Sequence, residues 1–139
     1  MNGHFHETSP TFAVVVPAYN EAADIASTCE ALLDLSPAPN EIVFVDDASG
    51  DDTADIIRRY LVRPSMRLIV QPTNRGPAAA RNAGVNATTS EVIVFVDADV
   101  LLPPDFLARL ALHYQQGADS VAVEAKVQTT NAACERFFQ

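Results

Sequence analysis

Two aspartates separated by one alanine, Asp97 and Asp99, follow directly on the run Glu91–Val96. Carboxylates this close repel each other unless a proton or a cation holds them, and their hard oxygen atoms suit Mg²⁺ or Mn²⁺. The run before them is apolar and mostly β-branched, which reads as a strand buried on both faces, as in a parallel sheet. Ligands of open α/β sheets bind outside the carboxyl ends of the strands, so the pair falls at the edge where chemistry would occur. Taken alone, the pattern is as readily a strand end with two solvated turn acids.

Three more segments carry residues of this kind. Phe12–Val16 runs into Pro17, Ala18, Tyr19, Asn20 and Glu21. Proline fixes φ and removes a donor, so the chain is expected to leave the sheet there. Tyr19 then stands at the carboxyl edge, with a flat face for a base or a sugar. The plainer reading makes it a packing tyrosine beside a helix cap at Asn20. Val45 is followed by Asp46, Asp47, Ala48, Ser49, Gly50, Asp51, Asp52 and Thr53. Asp51 and Asp52 read as caps on the next helix, stabilising its positive end. Asp46 or Asp47 lies nearer the edge, where a carboxylate can accept a base N–H or ribose hydroxyls. The third segment is Asn74–Gly84, whose Gly76 and alanines keep a helix slim enough to approach other backbone closely. Either Arg75 or Arg81 offers a planar fork to phosphate, although a lone arginine is usually a surface residue.

The elements that must position these residues alternate regularly. Strand candidates are Phe12–Val16, Glu41–Val45, Met66–Val70 and Glu91–Val96, about 25 to 30 residues apart. Ile25, Cys29, Leu32 and Leu33 form one face of a first helix, which Ser36–Pro39 ends. A second helix carries Ile56, Ile57 and Leu61 inward after a cap among Ser49, Asp51 and Asp52. A third starts near Pro77. A fourth opens at Pro103–Asp105, places Phe106, Leu107, Leu110 and His113 along one side, and stops at Gly117. Ser120–Val127 alternates with a period of two and reads as a half-exposed strand. Such alternation implies a parallel sheet with right-handed crossovers and helices on both faces.

Composition excludes several classes. The chain has 139 residues, enough for one domain, and its 48% hydrophobic and 19% charged content argues against disorder. A net charge of −9 argues against nucleic-acid binding, which needs a basic stripe. Cys29 and Cys134 lie far apart without a metal-ligand pattern, so reduced, buried thiols and a cytoplasmic setting are expected. Met1–Pro10 lacks a hydrophobic signal core, and His4 and His6 there make at most a chance metal pair. No apolar run reaches the roughly twenty residues that span a bilayer.

The segments Val14–Glu21, Val45–Thr53, Asn74–Gly84 and Asp97–Asp99, in this order, resemble the nucleotide-sugar-binding half of a GT-A glycosyltransferase. The similarity is greatest to the large inverting group called family two, and it extends from about residue 12 to residue 100. It implies a GT-A (Rossmann-like) three-layer α/β/α fold with a mostly parallel sheet in the order 3-2-1-4. It also implies a nucleoside-diphosphate sugar as donor, with uridine favoured by family habit and by Asp47. By resemblance Pro17, Tyr19, Glu21, Asp47, Arg75 and Asp97 line the nucleotide, with Tyr19 near the base. Asp99, with Asp97, holds Mg²⁺ or Mn²⁺. The cation would turn the repulsion between these acids and a diphosphate into bridging.

The resemblance stops short of a whole enzyme. Such transferases carry a second region that binds the acceptor and supplies a general base. Glu124 and Glu135 lack that context, so the base is expected beyond Gln139. Residues 1–11 read as a flexible tail and residues 12–139 as one donor-binding domain cut from a longer protein. The isolated chain is then expected to be weakly active or inactive, with Phe137 and Phe138 seeking cover through self-association. The acceptor, whether glycan, lipid or protein, is not legible, and membrane association of a longer protein stays open. A nucleotidyltransferase would show a glycine-rich loop with a lysine after the first strand, and a dinucleotide-binding protein a G-x-G-x-x-G. A D-x-D phosphatase would carry its acids after the first strand. A non-catalytic donor-binding module is the alternative from another class.

Overall fold

A computed structural model describes residues 10–116. The expectations for His4 and His6, Gly117, the strand at Ser120–Val127, Glu124, Cys134, Glu135 and the Phe137–Phe138 pair lie outside those residues. The elements are β1 (Phe12–Ala18), α1 (Ile25–Leu33), β2 (Glu41–Asp46), α2 (Thr53–Tyr60), β3 (Met66–Val70), α3 (Pro77–Asn86), β4 (Val92–Phe95) and α4 (Phe106–Gln115). The strands form one parallel 4-stranded sheet in the order β3-β2-β1-β4. From β1 the chain travels outward to β3 and then returns across to β4. The connections therefore diverge at β1, which opens a crevice over its carboxyl end.

Alternation along each strand builds the layers. Val14, Val16, Ile42, Phe44, Val92 and Val94 share one core with Ile25, Cys29 and Leu32 of α1, Ile57 of α2, and Phe106, Leu107 and Leu110 of α4. Val15, Val43 and Val45 face the other way, against Ala80 of α3. The result is the expected three layers, with α3 alone on its side among the described helices. Burial raises the Cys29 thiol to about 12, so it stays protonated and behaves as a small core hydrophobe. His113 of α4 is exposed, and Tyr114 takes the place on the inward side that periodicity gives to His113.

Pro17 does not end β1. The strand continues through Pro17 and Ala18, which pair with Val45 and Asp46 of β2. The reason lies in which neighbour each residue faces. Thr11 and Val15 give their carbonyls to β4-side N–H groups, whereas Phe12 and Ala18 give theirs to Asn40 and Asp47 on the β2 side. Odd-numbered Pro17 therefore faces β4, whose pairing with β1 stops at Val15 and Phe95. Its missing N–H costs no ladder bond, so a proline is tolerated in a central strand.

The opposite edge of the sheet is tied by Glu41. Its carboxylate accepts the Thr88 hydroxyl at 2.6 Å, the Ser90 hydroxyl at 2.7 Å and the Thr89 N–H at 3.2 Å, and it pairs with Arg67 at 2.5 Å. The Thr88 and Ser90 hydroxyls, ahead of the Thr89 N–H and Arg67, hold its acid below the ordinary carboxylate range. A depressed folded-state pKa contributes stability above the unfolded value, and that contribution disappears as pH falls through the folded one. Glu41→Gln is accordingly expected to cost about 2 kcal/mol at neutral pH, the range for hydrogen bonds to a charged acceptor. Wild type and variant should converge in stability as pH falls through the depressed folded-state value, which urea unfolding across pH will check.

Candidate active site at the carboxyl edge of the sheet

Three loops and the end of β4 surround a cleft of about 380 Å³. From β1 and the turn after it come Pro17, Tyr19 and Glu21, from the turn after β2 comes Asp47, and beyond β4 lie Asp97 and Asp99. Tyr19 is 49% exposed, a large aromatic face left open to solvent at the mouth. Asn20 turns the chain with a φ of 52°, which asparagine tolerates better than most residues.

The two acids at the end of β2 separate in role. Asp46 accepts the Ser49 hydroxyl at 2.5 Å and the Ser49 N–H at 3.3 Å, closing a turn in which Ala48 adopts a φ of 59°. It is a turn-holding acid. Asp47 lines the cleft, yet both of its oxygens are engaged: Oδ1 accepts the Arg75 N–H and Oδ2 the Gly76 N–H, each at 2.9 Å. The carboxylate thus fixes the β3–α3 loop and keeps lone-pair capacity for a ligand.

Arg75 contributes its backbone to this arrangement, while its side chain is exposed and does not line the cleft. Arg81 and Asn74 do line it. Arg81 stands 3.6 Å from Asp97, an ion pair across the cleft. The geometry explains why the arginine further along the chain reaches the site. In a βα unit the helix begins at the sheet's carboxyl edge, so a residue one turn into α3 still overhangs it. Helical spacing from Pro77 is the signal in the sequence that distinguishes Arg81 from Arg75.

Asp97 and Asp99 are held by the chain around them. The Val100 N–H donates to the Asp97 carbonyl at 3.0 Å, and the buried Thr28 hydroxyl donates to the Ala98 carbonyl at 2.5 Å. Glu21 lies close enough that its acid is raised, first by burial and then by the charges of Asp99, Asp24, Asp51 and Asp97. Among the described residues no three His, Cys, Asp or Glu side chains converge as a ready-made metal site. Two carboxylates with a third nearby fit a hard cation that takes its remaining ligands from phosphate and water, as Mg²⁺ does.

The family model for glycosyl transferase family 2 matches residues 13–131. The chain belongs to this family. Succinoglycan biosynthesis protein ExoO of Rhizobium meliloti is 35% identical over 124 residues, covering 89% of this chain and 35% of the relative. An undecaprenyl-phosphate 4-deoxy-4-formamido-L-arabinose transferase of Edwardsiella ictaluri is 35% identical over 114 residues, covering 78% of this chain and 35% of the relative. The chain therefore spans about a third of the length of these curated family 2 relatives.

Solved structures agree on the fold. The mannosyltransferase PcManGT from Pyrobaculum calidifontis, in complex with GDP-Man and Mn²⁺, superposes with a TM-score of 0.70 at 33% identity over 81% of this chain and 34% of that one. S. aureus TarS 1-349 in complex with UDP-GlcNAc gives 0.70 at 29% identity, over 76% of this chain and 31% of that one. The family and the GT-A architecture read from the sequence are both borne out. No helix among the described residues is long and apolar enough to cross a membrane.

Proposed function

We propose that this family 2 chain carries the donor site of a metal-dependent glycosyltransferase that uses a nucleoside-diphosphate sugar. The observation that carries the reading is the convergence of Tyr19, Glu21, Asp47, Arg81, Asp97 and Asp99 on one cleft where the sheet's connections diverge. Structural neighbours support it, since they include complexes with UDP-GlcNAc, UDP and GDP-Man, two of them with Mn²⁺.

Each side chain has a task set by its chemistry. Tyr19 offers its ring to the base, and Pro17 lines the same cleft. Asp47, anchored by the β3–α3 loop, presents an acceptor edge that suits a uracil N–H, so a uridine donor is favoured. Arg81 supplies a fork for diphosphate oxygens in place of the Arg75 side chain. Asp97 and Asp99 are the residues that would hold Mg²⁺ or Mn²⁺. When bound, the cation supplies Lewis-acid stabilisation of the negative charge that develops on the departing diphosphate.

In the reaction an acceptor hydroxyl oxygen bonds to the anomeric carbon as the bond from that carbon to the diphosphate breaks. The hydroxyl proton goes to a general base, which we assign to residues outside the described part of the chain. The acids described above are committed to the nucleotide side, to turns, to helix starts or, for Glu41, to the opposite edge of the sheet. A glycan or lipid-linked acceptor is the class that the relatives' names favour.

Calorimetric titration with UDP and GDP, with and without Mn²⁺, tests the donor site directly. Binding should strengthen when Mn²⁺ is present, and UDP should bind more tightly than GDP. Equal affinity with and without the metal would overturn the metal-dependent reading.

A further inference from the structure

Tyr19 and Glu21 sit on a connection with no regular structure of its own, yet the site needs both in fixed places. We propose that the Ser49–Thr53 segment is a clamp on the β1–α1 loop, with buried Thr53 the principal residue positioning Tyr19 and Glu21 for the nucleotide. The inference rests on the donor-site reading above and adds the device that pre-organises it.

Three consecutive backbone donors of the loop are each met by a side chain from this segment. The Asn20 N–H donates to Ser49 Oγ at 2.9 Å, the Glu21 N–H to Thr53 Oγ1 at 2.9 Å, and the Ala22 N–H to Asp51 Oδ2 at 3.2 Å. A fourth bond runs in the opposite direction, from the Gly50 N–H to Asn20 Oδ1 at 2.8 Å. The loops are thus stitched from both sides. The Asn20 conformation at a φ of 52° is one that local preference alone would not hold.

Thr53 is central because it is fully buried and its hydroxyl is oriented. That hydroxyl donates to Asp51 Oδ1, which also accepts the Thr53 N–H at 3.0 Å, leaving the oxygen lone pairs to receive Glu21. The Glu21 carbonyl in turn accepts the Asp24 and Ile25 N–H groups at 3.0 and 2.9 Å, starting α1. Fixing the two peptide units that flank the Glu21 Cα therefore fixes the Glu21 side chain, the approach of Tyr19 and the entry of the helix together. Side chains of a binding constellation act only when their support holds them near the productive geometry.

Thr53→Val keeps the shape and removes the acceptor, while Thr53→Ser keeps the acceptor. Amide hydrogen exchange at Glu21 without ligand, the dissociation constant for UDP with Mn²⁺, and the melting temperature should be measured for both variants and wild type. Thr53→Val is expected to accelerate Glu21 exchange and to weaken UDP binding about tenfold, the value of one well-placed hydrogen bond. Thr53→Ser should restore both. Unchanged exchange in Thr53→Val would overturn the clamp, and faster exchange or a lower melting temperature with unchanged UDP affinity would overturn its role in positioning. If Thr53→Val does not fold, Ser49→Ala reads the same two quantities at Asn20. Failure of wild type to bind any nucleoside diphosphate overturns the donor-site reading instead, and exchange at Glu21 then decides the clamp by itself.

Discussion

Asp99→Asn is expected to remove most of the gain that Mn²⁺ gives to UDP binding, whereas Asp47→Ala should weaken binding and leave that gain in place. The difference follows from where each carboxylate sits. Asp99 is exposed at the cleft, beside Asp97 and near Glu21. The described residues offer no group of three or more protein ligands, so each carboxylate carries a large share of the cation's hold. Losing even an outer-shell partner of a metal ligand typically costs 10- to 100-fold in metal affinity, so a direct ligand should cost at least that. Asp47 instead accepts the Arg75 and Gly76 N–H groups. Its removal strands two loop donors and loosens the β3–α3 loop without touching the pair proposed to hold the cation. The acid of Glu21, raised by burial and by Asp99, adds a pH signature. As pH falls, Glu21 gains a proton above the ordinary carboxylate range and the site loses negative charge, so the Mn²⁺ gain should shrink there. Titrations of UDP with and without Mn²⁺ at two pH values will measure all three effects, and an undiminished gain in Asp99→Asn would remove Asp99 from the metal site.

Much of this arrangement is legible in the sequence because buried parallel strands leave a strong signature. Phe12–Val16, Ile42–Val45 and Val92–Val96 are continuous apolar runs, and the acids that follow them fall at the carboxyl edge by the geometry of a βα unit. The order of the strands came from family resemblance, since periodicity says nothing about which strands are neighbours. What local pattern does not carry depends on long-range pairing. Pro17 reads as a strand stop, and only the early end of β4 beside it explains why β1 continues. Arg75 is the nearer arginine in sequence, but the α3 axis brings Arg81 over the cleft. The polar run Ser49–Thr53 reads as helix capping by composition. Asp52 makes no capping hydrogen bond with its side chain, and Ser49, Asp51 and Thr53 reach across to another loop. Side-chain partners about 30 residues away leave no trace in local pattern.

Gly84→Ala should destabilise the protein and weaken nucleotide binding, the reverse of what helix propensity predicts. Alanine is normally worth up to about 1 kcal/mol over glycine inside a helix. Here a Cβ at position 84 would lie 2.2 Å from Val15 Cγ1, with Val15 Cβ and Cγ2 each at 3.3 Å. Turning Val15 about χ1 to clear the contact sends a methyl into its other packed neighbours, since Val15 is fully buried in a central strand. The helix must move out instead. Overpacking of this kind costs about 1–3 kcal/mol, or a fall of roughly 3–10 °C in melting temperature for a domain of this size. The site feels the shift because Ala80 and Arg81, one turn earlier on α3, line the cleft. Val15→Ala removes both methyls and should itself destabilise by leaving a cavity. Combined with Gly84→Ala, however, it should lose less stability than the two single changes summed, since the added methyl enters the vacated space. Thermal unfolding and UDP titration of the two single variants and the double variant complete the cycle. Strict additivity, or a Gly84→Ala protein as stable as wild type, would mean that α3 does not rest on β1 as closely as Gly84 allows.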